Sequence, residues 1–406
     1  MHAQVVVVGG GPIGAVAARS AAQAGASVLL VERRERPAPS SCCTGLVGPQ
    51  ALKILGVSTN CALLEIRGVS VHAPNVRELE LSANDTKAIV IDRLRLEREL
   101  HDLARAEGVD VRLGVKAIAA SDGAVVLESN GGQETIDASF ILGADGPGSQ
   151  VAQWFGLPSP ERFVHAAQVV VETQGTTASD RVDVFLGNEV APGFFAWAVP
   201  EGRNRLRVGV GVSSTLDPWP YLDRLLASRF PKSRTCSREG GRIPVAPTPR
   251  SATGSVLLVG DAAGQVKPLS GGGLYPGGVC ARIAGRIAAE TALSGASDPQ
   301  AAFVYESEWR AAIGREITFG QSLHRLYSSL SDDDLNALIA ACDDPELLAF
   351  LAEQADIDRL HRLPDELAAR PSLWGKVLRL LPLLAGRDTD DVPDRPSVAS
   401  VLRTCL

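Results

Sequence analysis

Six residues near the N-terminus, Gly9-Gly10-Gly11-Pro12-Ile13-Gly14, have the types and spacing that bring a backbone against a pyrophosphate, and an acid, Glu32, follows at the end of the next apolar run. Gly9 permits a tight turn, Gly11 lets N–H groups approach the phosphates, and Gly14 lets a helix pack closely on a strand. Glu32 would accept from ribose hydroxyls. Pro12 and Ile13 inside the motif, and Arg33 beside Glu32, count with the expected nucleotide contacts.

That motif serves NAD and FAD alike. A later one chooses between them: Val259-Gly260-Asp261-Ala262-Ala263-Gly264 follows a second apolar run. A carboxylate at Asp261 can accept from a ribityl hydroxyl, which NAD lacks. The N-terminus of the helix after it directs positive potential at the flavin pyrimidine, where reduced flavin gathers negative charge. A third element, Gly143-Ala144-Asp145-Gly146, closes another strand and fits a loop near the pyrophosphate. The expected cofactor is FAD.

These motifs need a scaffold. QVVVV at 4–8 reads as a buried strand, 14–24 as a helix of small residues stopped by Gly25, and SVLLVE at 27–32 as the next strand, a βαβ opening of a parallel sheet. Leucines at helical spacing predict a helix over 93–107, followed by a strand, a polar meander to about 137 and the buried strand SFILGAD. Four runs between 163 and 246 (HAAQVVVET, RVDVFLG, GFFAWAVP, RLRVGVGV) predict an antiparallel substrate-side sheet, to which 64–92 contributes. A long small-residue helix is expected at about 277–294, and helices to about 385. The fold class is therefore α/β: a Rossmann-like FAD-binding domain (1–162 and 247–310), an antiparallel-sheet substrate domain (163–246) and a helical C-terminal region (311–406).

Composition narrows the function. A net charge of -7 and the lack of a concentrated Lys/Arg face argue against a nucleic-acid partner. The seven cysteines show no CxxC spacing, so neither a zinc site nor a disulfide framework is expected. The first residues enter a strand at once and no run offers about 18 apolar residues, so the expectation is a cytoplasmic protein with at most peripheral membrane contact.

The three glycine-acid motifs, in this order over roughly residues 4–295, resemble the para-hydroxybenzoate hydroxylase superfamily of flavoproteins, the glutathione-reductase type of FAD domain. Three further stretches resemble its geranylgeranyl reductase branch. Val266-Lys267-Pro268-Leu269-Ser270-Gly271-Gly272-Gly273-Leu274-Tyr275 is similar to that family's proline and triple-glycine segment, which lies against the flavin ring. Phe194-Phe195-Ala196-Trp197-Ala198-Val199-Pro200 is similar to its Tyr-x-Trp-x-Phe-Pro strand, with Phe195 and Val199 in place of tyrosine and phenylalanine. Ser41-Cys42-Cys43-Thr44-Gly45-Leu46-Val47 sits where the family carries cysteine, glycine and leucine beside the flavin, and Arg93 matches a position near the cofactor.

The resemblance implies a reductase that saturates C=C bonds of a polyprenyl lipid or isoprenoid quinone side chain by hydride transfer from flavin N5. Cys43 or Cys42, with Tyr275, are the candidate catalytic residues. Thr44, Gly45, Pro268, Leu274 and the triple glycine join the cofactor contacts, and Phe195, Trp197, Val199, Pro200 and Tyr275 line the substrate. The electron donor is NADPH or a ferredoxin. A monooxygenase, hydroxylase or halogenase of the same superfamily is the alternative, since Phe195-Ala196-Trp197-Ala198-Val199-Pro200 also resembles a halogenase strand, though without its first tryptophan. A flavin-holding subunit that binds prenyl lipid without reducing it is the non-enzymatic alternative. The apolar stretch from Pro371 to Leu384 could lie on a bilayer surface. His165 and His324 have no nameable partner in the sequence and read as structural or solvated.

Overall fold

Four consecutive valines, Val5 to Val8, can be satisfied only in a strand covered on both faces, because β-branched side chains are stiff and successive residues point opposite ways. In the computed structural model, which describes residues 2–37, 43–175, 179–295 and 300–378, they lie at the centre of an eight-stranded sheet. His2–Val8 pairs in parallel with Val28–Glu32 on one side and Gly132–Gly143 on the other. Asp110–Leu113 extends the sheet beyond Val28–Glu32, and Val256–Leu258 extends it beyond Gly132–Gly143. Val5, Val7, Leu30 and Leu142 face one core, and Val6, Val8, Leu29 and Ile141 the other.

The first core is closed by two helices, Pro12–Gln23 and Leu274–Leu293. Their approach is close because the contact residues are small: Ala17 and Ala21 meet Gly285, where an added Cβ would stand 2.3 Å from the Ala17 carbonyl oxygen. This crossing carries the late Gly-Asp turn back onto the early glycine turn. The stretch expected as a polar meander instead contains two strands, Lys116–Ser121 and Ala124–Ser129, which pair antiparallel with each other, the second also pairing antiparallel with the first half of Gly132–Gly143. Val125, Leu127 and Ile136 face the core with strand periodicity, Val125 and Leu127 alternating with the half-buried Val126.

The second sheet has seven strands in the order Arg234–Pro244, Phe163–Glu172, Arg205–Ser213, Ala196–Gly202, Arg181–Phe185, Gly68–His72, Glu78–Ser82. All its pairings are antiparallel except that of Arg181–Phe185 with Gly68–His72. One face (Ala167, Val169, Ala198, Val208, Val210) packs with Leu222 and Leu225 of the Trp219–Arg229 helix. The opposite face carries Ala166, Trp197 and Val199 and packs with Ile66, Ala88 and Val90 of a small three-stranded sheet.

The 29-residue helix Ala301–Ser329 lays Tyr305, Trp309, Ile313 and Ile317 into the first core. Asp332–Cys342 follows, its start fixed by a capping box between Ser331 and Asp334. The apolar stretch beginning at Pro371 starts as the helix Pro371–Leu378, whose Leu373 is buried against Leu347 and Phe350. Its residues 379–384 lie outside the described residues. Among the described residues no helix is long and apolar enough to cross a membrane.

The helix crossing makes a checkable demand. Gly285→Val should lower the unfolding free energy by about 3 kcal/mol through overpacking, read from urea midpoints. Gly314→Ala, where a Cβ meets nothing closer than 3.8 Å, should be neutral or stabilising by up to about 1 kcal/mol.

Candidate functional site

The four glycines of the first turn divide by what surrounds them. A Cβ on Gly9, held at φ +105°, would stand 2.4 Å from the Ala144 carbonyl oxygen. One on Gly10 would stand 2.6 Å from Glu32 Cβ, and one on Gly14 would stand 1.9 Å from the Gly9 oxygen. Gly11 alone faces open space. Three glycines thus serve the close approach of strand, loop and helix, and the fourth leaves room for phosphates. Pro12 opens the helix, and no acidic side chain in its first turn competes for the free N–H groups. The chain therefore fits the diphosphate of FAD.

Glu32 closes the second strand, buried, and accepts from Gly10 N at 2.8 Å and from Arg34 N and Nε at 3.0 and 2.9 Å. Burial works to raise its pKa, but the bonds from Arg34 and Gly10 outweigh it and the carboxyl is held below its ordinary value. Arg33 is exposed, and it is the neighbouring Arg34 that folds onto Glu32. Asp145 accepts from Gln150 N and Val151 N through Oδ2, so it caps the Gln150–Trp154 helix, while Ala144 abuts Gly9.

The Arg93–Ala106 helix, capped by Asp92, turns a polar stripe inward at four-residue spacing. Arg93, Glu97 and His101 are all buried. Arg93 Nη1 donates to Cys43 Sγ at 2.7 Å and Nη2 donates to Glu97 Oε1 at 3.1 Å. Glu97 also lies 3.8 Å from Arg34. Burial pushes the Glu97 carboxyl up, against Arg93 and Arg34. His101 Nε2 lies 2.6 Å from the Gly10 carbonyl oxygen, to which it can only donate, and burial lowers its pKa, keeping the ring neutral. The stripe thus ties the Cys43 loop to the dinucleotide turn.

Asp261 follows Gly260, whose φ of +65° and contact with Ile13 bring the two glycine turns together. Gly260 N donates to Gln265 Oε1, and Gln265 in turn donates to the Tyr305 hydroxyl, which donates to Leu258 O. Burial raises the Asp261 carboxyl to about 6, with Arg93 pulling it back. Gly273 leaves only 3.0 Å between an added Cβ and Asp261 Oδ1. Gly271 approaches Ile243 and Phe194, so the triple-glycine segment runs from Asp261 to the aromatic strand. It is pinned from behind: Lys267 donates to Asp358 Oδ1 at 2.9 Å and to Ile357 O at 2.7 Å, Pro268 abuts Gly320, and Arg359 Nε donates to the Tyr275 hydroxyl at 3.3 Å. Leu274 begins the helix.

The Cys43-Thr44-Gly45 loop is held by the seven-stranded sheet. Gln168 and Trp197 lie in one cross-strand row with Gly209 between them. Without a side chain there, the Trp197 indole crosses Gly209 and its Nε1 donates to Gln168 Oε1 at 3.2 Å. Gln168 Nε2 then donates to Cys43 O at 3.1 Å. Beside it Arg207 donates to Thr44 O at 2.8 Å and is paired with Glu201, and Gly45, at φ +68°, has no room for a side chain against Arg207. Phe195 meets Trp197 edge-on at 6.0 Å and stacks on Phe194 at 4.3 Å, while Val199 and Pro200 are buried.

The structure therefore gathers Cys43, Arg93, Asp261 and Gly273 at one place, with Trp197 and Phe195 behind the loop and Tyr275 on the C-terminal side. Cys42 lies outside the described residues. Glu97, His101, Gln168, Arg207, Lys267 and Asp358 were not singled out from sequence. The first two could be found from their four-residue spacing with Arg93, and Gln168 from being a polar residue set between apolar neighbours, Ala166-Ala167 before it and Val169-Val170-Val171 after it.

Fold and site define an FAD-dependent oxidoreductase, and a family model described as an FAD binding domain matches residues 2–221. The digeranylgeranylglycerophospholipid reductase of Methanothrix thermoacetophila is 32% identical over 84% of this chain and 91% of its own. The chain belongs to the geranylgeranyl reductase family. Among solved structures, a geranylgeranyl bacteriochlorophyll reductase-like protein from Thermoplasma acidophilum superposes with a TM-score of 0.81 at 23% identity, covering 94% of this chain and 99% of that one. The p-nitrophenol 4-monooxygenase of Pseudomonas putida shares the fold at a TM-score of 0.67 and 18% identity, covering 88% of this chain and 98% of that one.

Asp261 gives a pH signature. Its folded pKa lies above the ordinary 3.8, so the stability it contributes is complete below about pH 4 and lost as pH rises through about 6. In the flavin-free protein the unfolding free energy should fall over that window by at most on the order of 3 kcal/mol more than in Asp261→Asn. Parallel urea titrations of the two proteins measure the difference.

Proposed function

We propose that this FAD-dependent oxidoreductase saturates C=C bonds in the prenyl chains of a lipid. The observation that carries the reading is the Arg93–Cys43 contact beside Asp261, with the aromatic strand behind it. Residues 1–162 and 247–310 hold the cofactor, 163–246 with 64–92 form the substrate side, and a helical C-terminal region follows from 311.

Bound and reduced, FAD supplies a hydride equivalent from N5 to one alkene carbon. The chain must supply the rest. Asp261, with Gly260, Gly271, Gly272, Gly273 and Leu274, cradles the ribityl chain and ring, and Gly9, Gly11, Pro12, Ile13, Gly14, Glu32 and Arg33 hold the adenosine diphosphate half, with Asp145 ordering the adjoining turn. An unactivated alkene is a poor hydride acceptor, so a proton must reach the other carbon as the hydride arrives, and positive charge gathers on the tertiary carbon. Phe195, Trp197, Val199, Pro200 and Tyr275 line a water-excluding chamber for such a species.

Cys43 is the proton donor on this reading. Arg93 donates to its sulfur, as does Gly45 N at 3.4 Å. The sulfur is thus an acceptor from both, which leaves its own proton free to be given away and a cationic partner for the thiolate that remains. Glu97 holds Arg93, and Gln168 and Arg207 hold the loop. The electron donor, NADPH or a ferredoxin, docks transiently, and a substrate drawn from a bilayer calls for peripheral membrane contact.

Two measurements test this. Anaerobic incubation of dithionite-reduced protein with geranylgeranyl lipids and quinones should add two hydrogens per bond by mass spectrometry. Brisk NADPH-driven oxygen consumption with an aromatic substrate, and no lipid product, would favour a monooxygenase instead. Cys43→Ala should slow single-turnover alkene reduction by about 10²-fold or more while leaving flavin absorbance intact. An unchanged rate removes the cysteine from the chemistry.

A further inference from the structure

Lys267 opens a turn that closes on itself. Its N–H donates to Gly272 O at 3.1 Å and Gly271 N–H donates to its carbonyl oxygen at 2.8 Å, so the lysine and the first two glycines of the triple run form one compact unit. The side chain folds back over the same glycines: a Cβ on Gly272 would stand 2.7 Å from Lys267 Cε and 3.2 Å from Nζ. Among the described residues the Gly272 and Gly273 N–H groups meet no acceptor, which leaves two donors for a group the chain does not supply. Asp358, the countercharge of the lysine, stands farther off. Its Oδ1 accepts from Nζ at 2.9 Å, while Oδ2 is buried against Gly48 without a hydrogen-bond partner among the described residues. The atoms nearest the added Gly272 Cβ belong to Lys267 and Ser270, with Asp358 beyond them. The pair is thus oriented, cation toward the glycine run and anion toward Gly48. Both groups are buried, so solvent screens that orientation poorly. Fastening a loop does not require such a pair, because apolar packing of similar volume does so without the desolvation.

We propose that Lys267 and Asp358 set the reduction potential of the bound flavin, the lysine favouring the reduced ring and the aspartate limiting how far. Reduction to the anionic form takes up two electrons and one proton, the proton at N5, and leaves one negative charge at the pyrimidine end of the ring. A cation fixed behind the peptides on which the ring rests favours that form over the neutral oxidised one. Acting alone, the lysine would make reduced flavin easier to form and a weaker hydride donor. An unactivated alkene needs a strong donor, and Asp358 returns part of that strength. The inference rests on the reading above that the triple-glycine segment cradles the flavin, and adds to it the two side chains, neither of them beside the reacting carbon, that tune the hydride donor by charge.

The midpoint potential of FAD in the full-length holoprotein tests this, by anaerobic dithionite titration against reference dyes with no lipid present. Asp358→Asn keeps an acceptor for Nζ and should raise the potential, the preference for reduced over oxidised flavin growing about tenfold, which is about 30 mV for a two-electron couple. Lys267→Met should lower it by a similar amount, and the Lys267→Met, Asp358→Asn double variant should fall between the two. Should Lys267→Met fail to fold, Asp358→Asn carries the test by itself. An unchanged potential in Asp358→Asn overturns the proposal. So do shifts of the same sign in both single variants, which a merely loosened segment would give. Asp261→Ala separates this outcome from a misplaced flavin. If it weakens FAD binding while the Lys267 and Asp358 variants keep the wild-type potential, the flavin site stands and the tuning role falls; if it leaves FAD affinity untouched, the placement of the flavin falls first.

Discussion

A guanidinium removed from water must be answered by opposite charge or by acceptors, because an uncompensated buried cation costs several kcal/mol. Arg93 is that group here, and much of the site is arranged around answering it. Glu97 supplies the countercharge from one turn further along the same helix, and Cys43 supplies the acceptor from a loop 50 residues earlier in the chain. Since burial raises the Glu97 carboxyl while Arg93 and Arg34 pull it down, the pair is stable only as a set. The set fixes the loop against the helix, and His101, two turns on, fixes the helix against the Gly10 carbonyl. One amphipathic helix thereby registers the cysteine loop relative to the diphosphate turn, which a loop on its own could not do.

The seven-stranded sheet meets the same loop by a different device. Its outer face is apolar and packs on a helix, as an antiparallel layer should. Its inner face has polar groups where an ordinary core would be apolar, and each has a partner. Gly209 is the enabling residue: with nothing at that position, a flat indole can cross one strand to reach Gln168 on the next. Tryptophan then fills volume and orients an amide at once, and the amide holds the Cys43 carbonyl. Gly211 makes the same allowance for Phe194. The small residues of this sheet shape the aromatic wall as much as the aromatic residues do.

What the sequence disclosed follows from how local each requirement is. Gly9, Gly14 and Gly260 are demanded by backbone approach within a few residues or by a turn, so their spacing alone announced a dinucleotide fold and a flavin-type Gly-Asp turn. Cys43 and Arg93 came from family likeness, and their contact needed coordinates, because nothing in a linear reading says that a loop and a helix start 50 residues apart will meet. The contacts of Gln168, Arg207, Lys267 and Asp358 needed coordinates for the same reason: each acts across a sheet or between the glycine segment and the C-terminal region. The 116–137 stretch does not read as strands from sequence because its alternation is blurred by apolar residues on the outward face, such as Ile118 and Val126, in strands added at the margin of the sheet.

Lys267 and Asp358 show why the helical C-terminal region belongs to the site. Both are almost wholly buried, at 7% and 1% exposure, and a buried pair of this kind adds less to stability than to specificity of arrangement. The lysine stands at the start of the proline and triple-glycine segment, whose glycines would otherwise leave it with many backbone conformations. Tied to Asp358 and the Ile357 carbonyl, with Arg359 bonded to Tyr275 and Ile357 packed among the residues around Trp197, that segment has one conformation. A glycine run is needed where a flat ring must approach the backbone closely, and the freedom that comes with it has to be removed from outside the run. The stretch 357–359 removes it, so residues far beyond the recognised FAD-binding segment set the shape of the surface on which the flavin would rest.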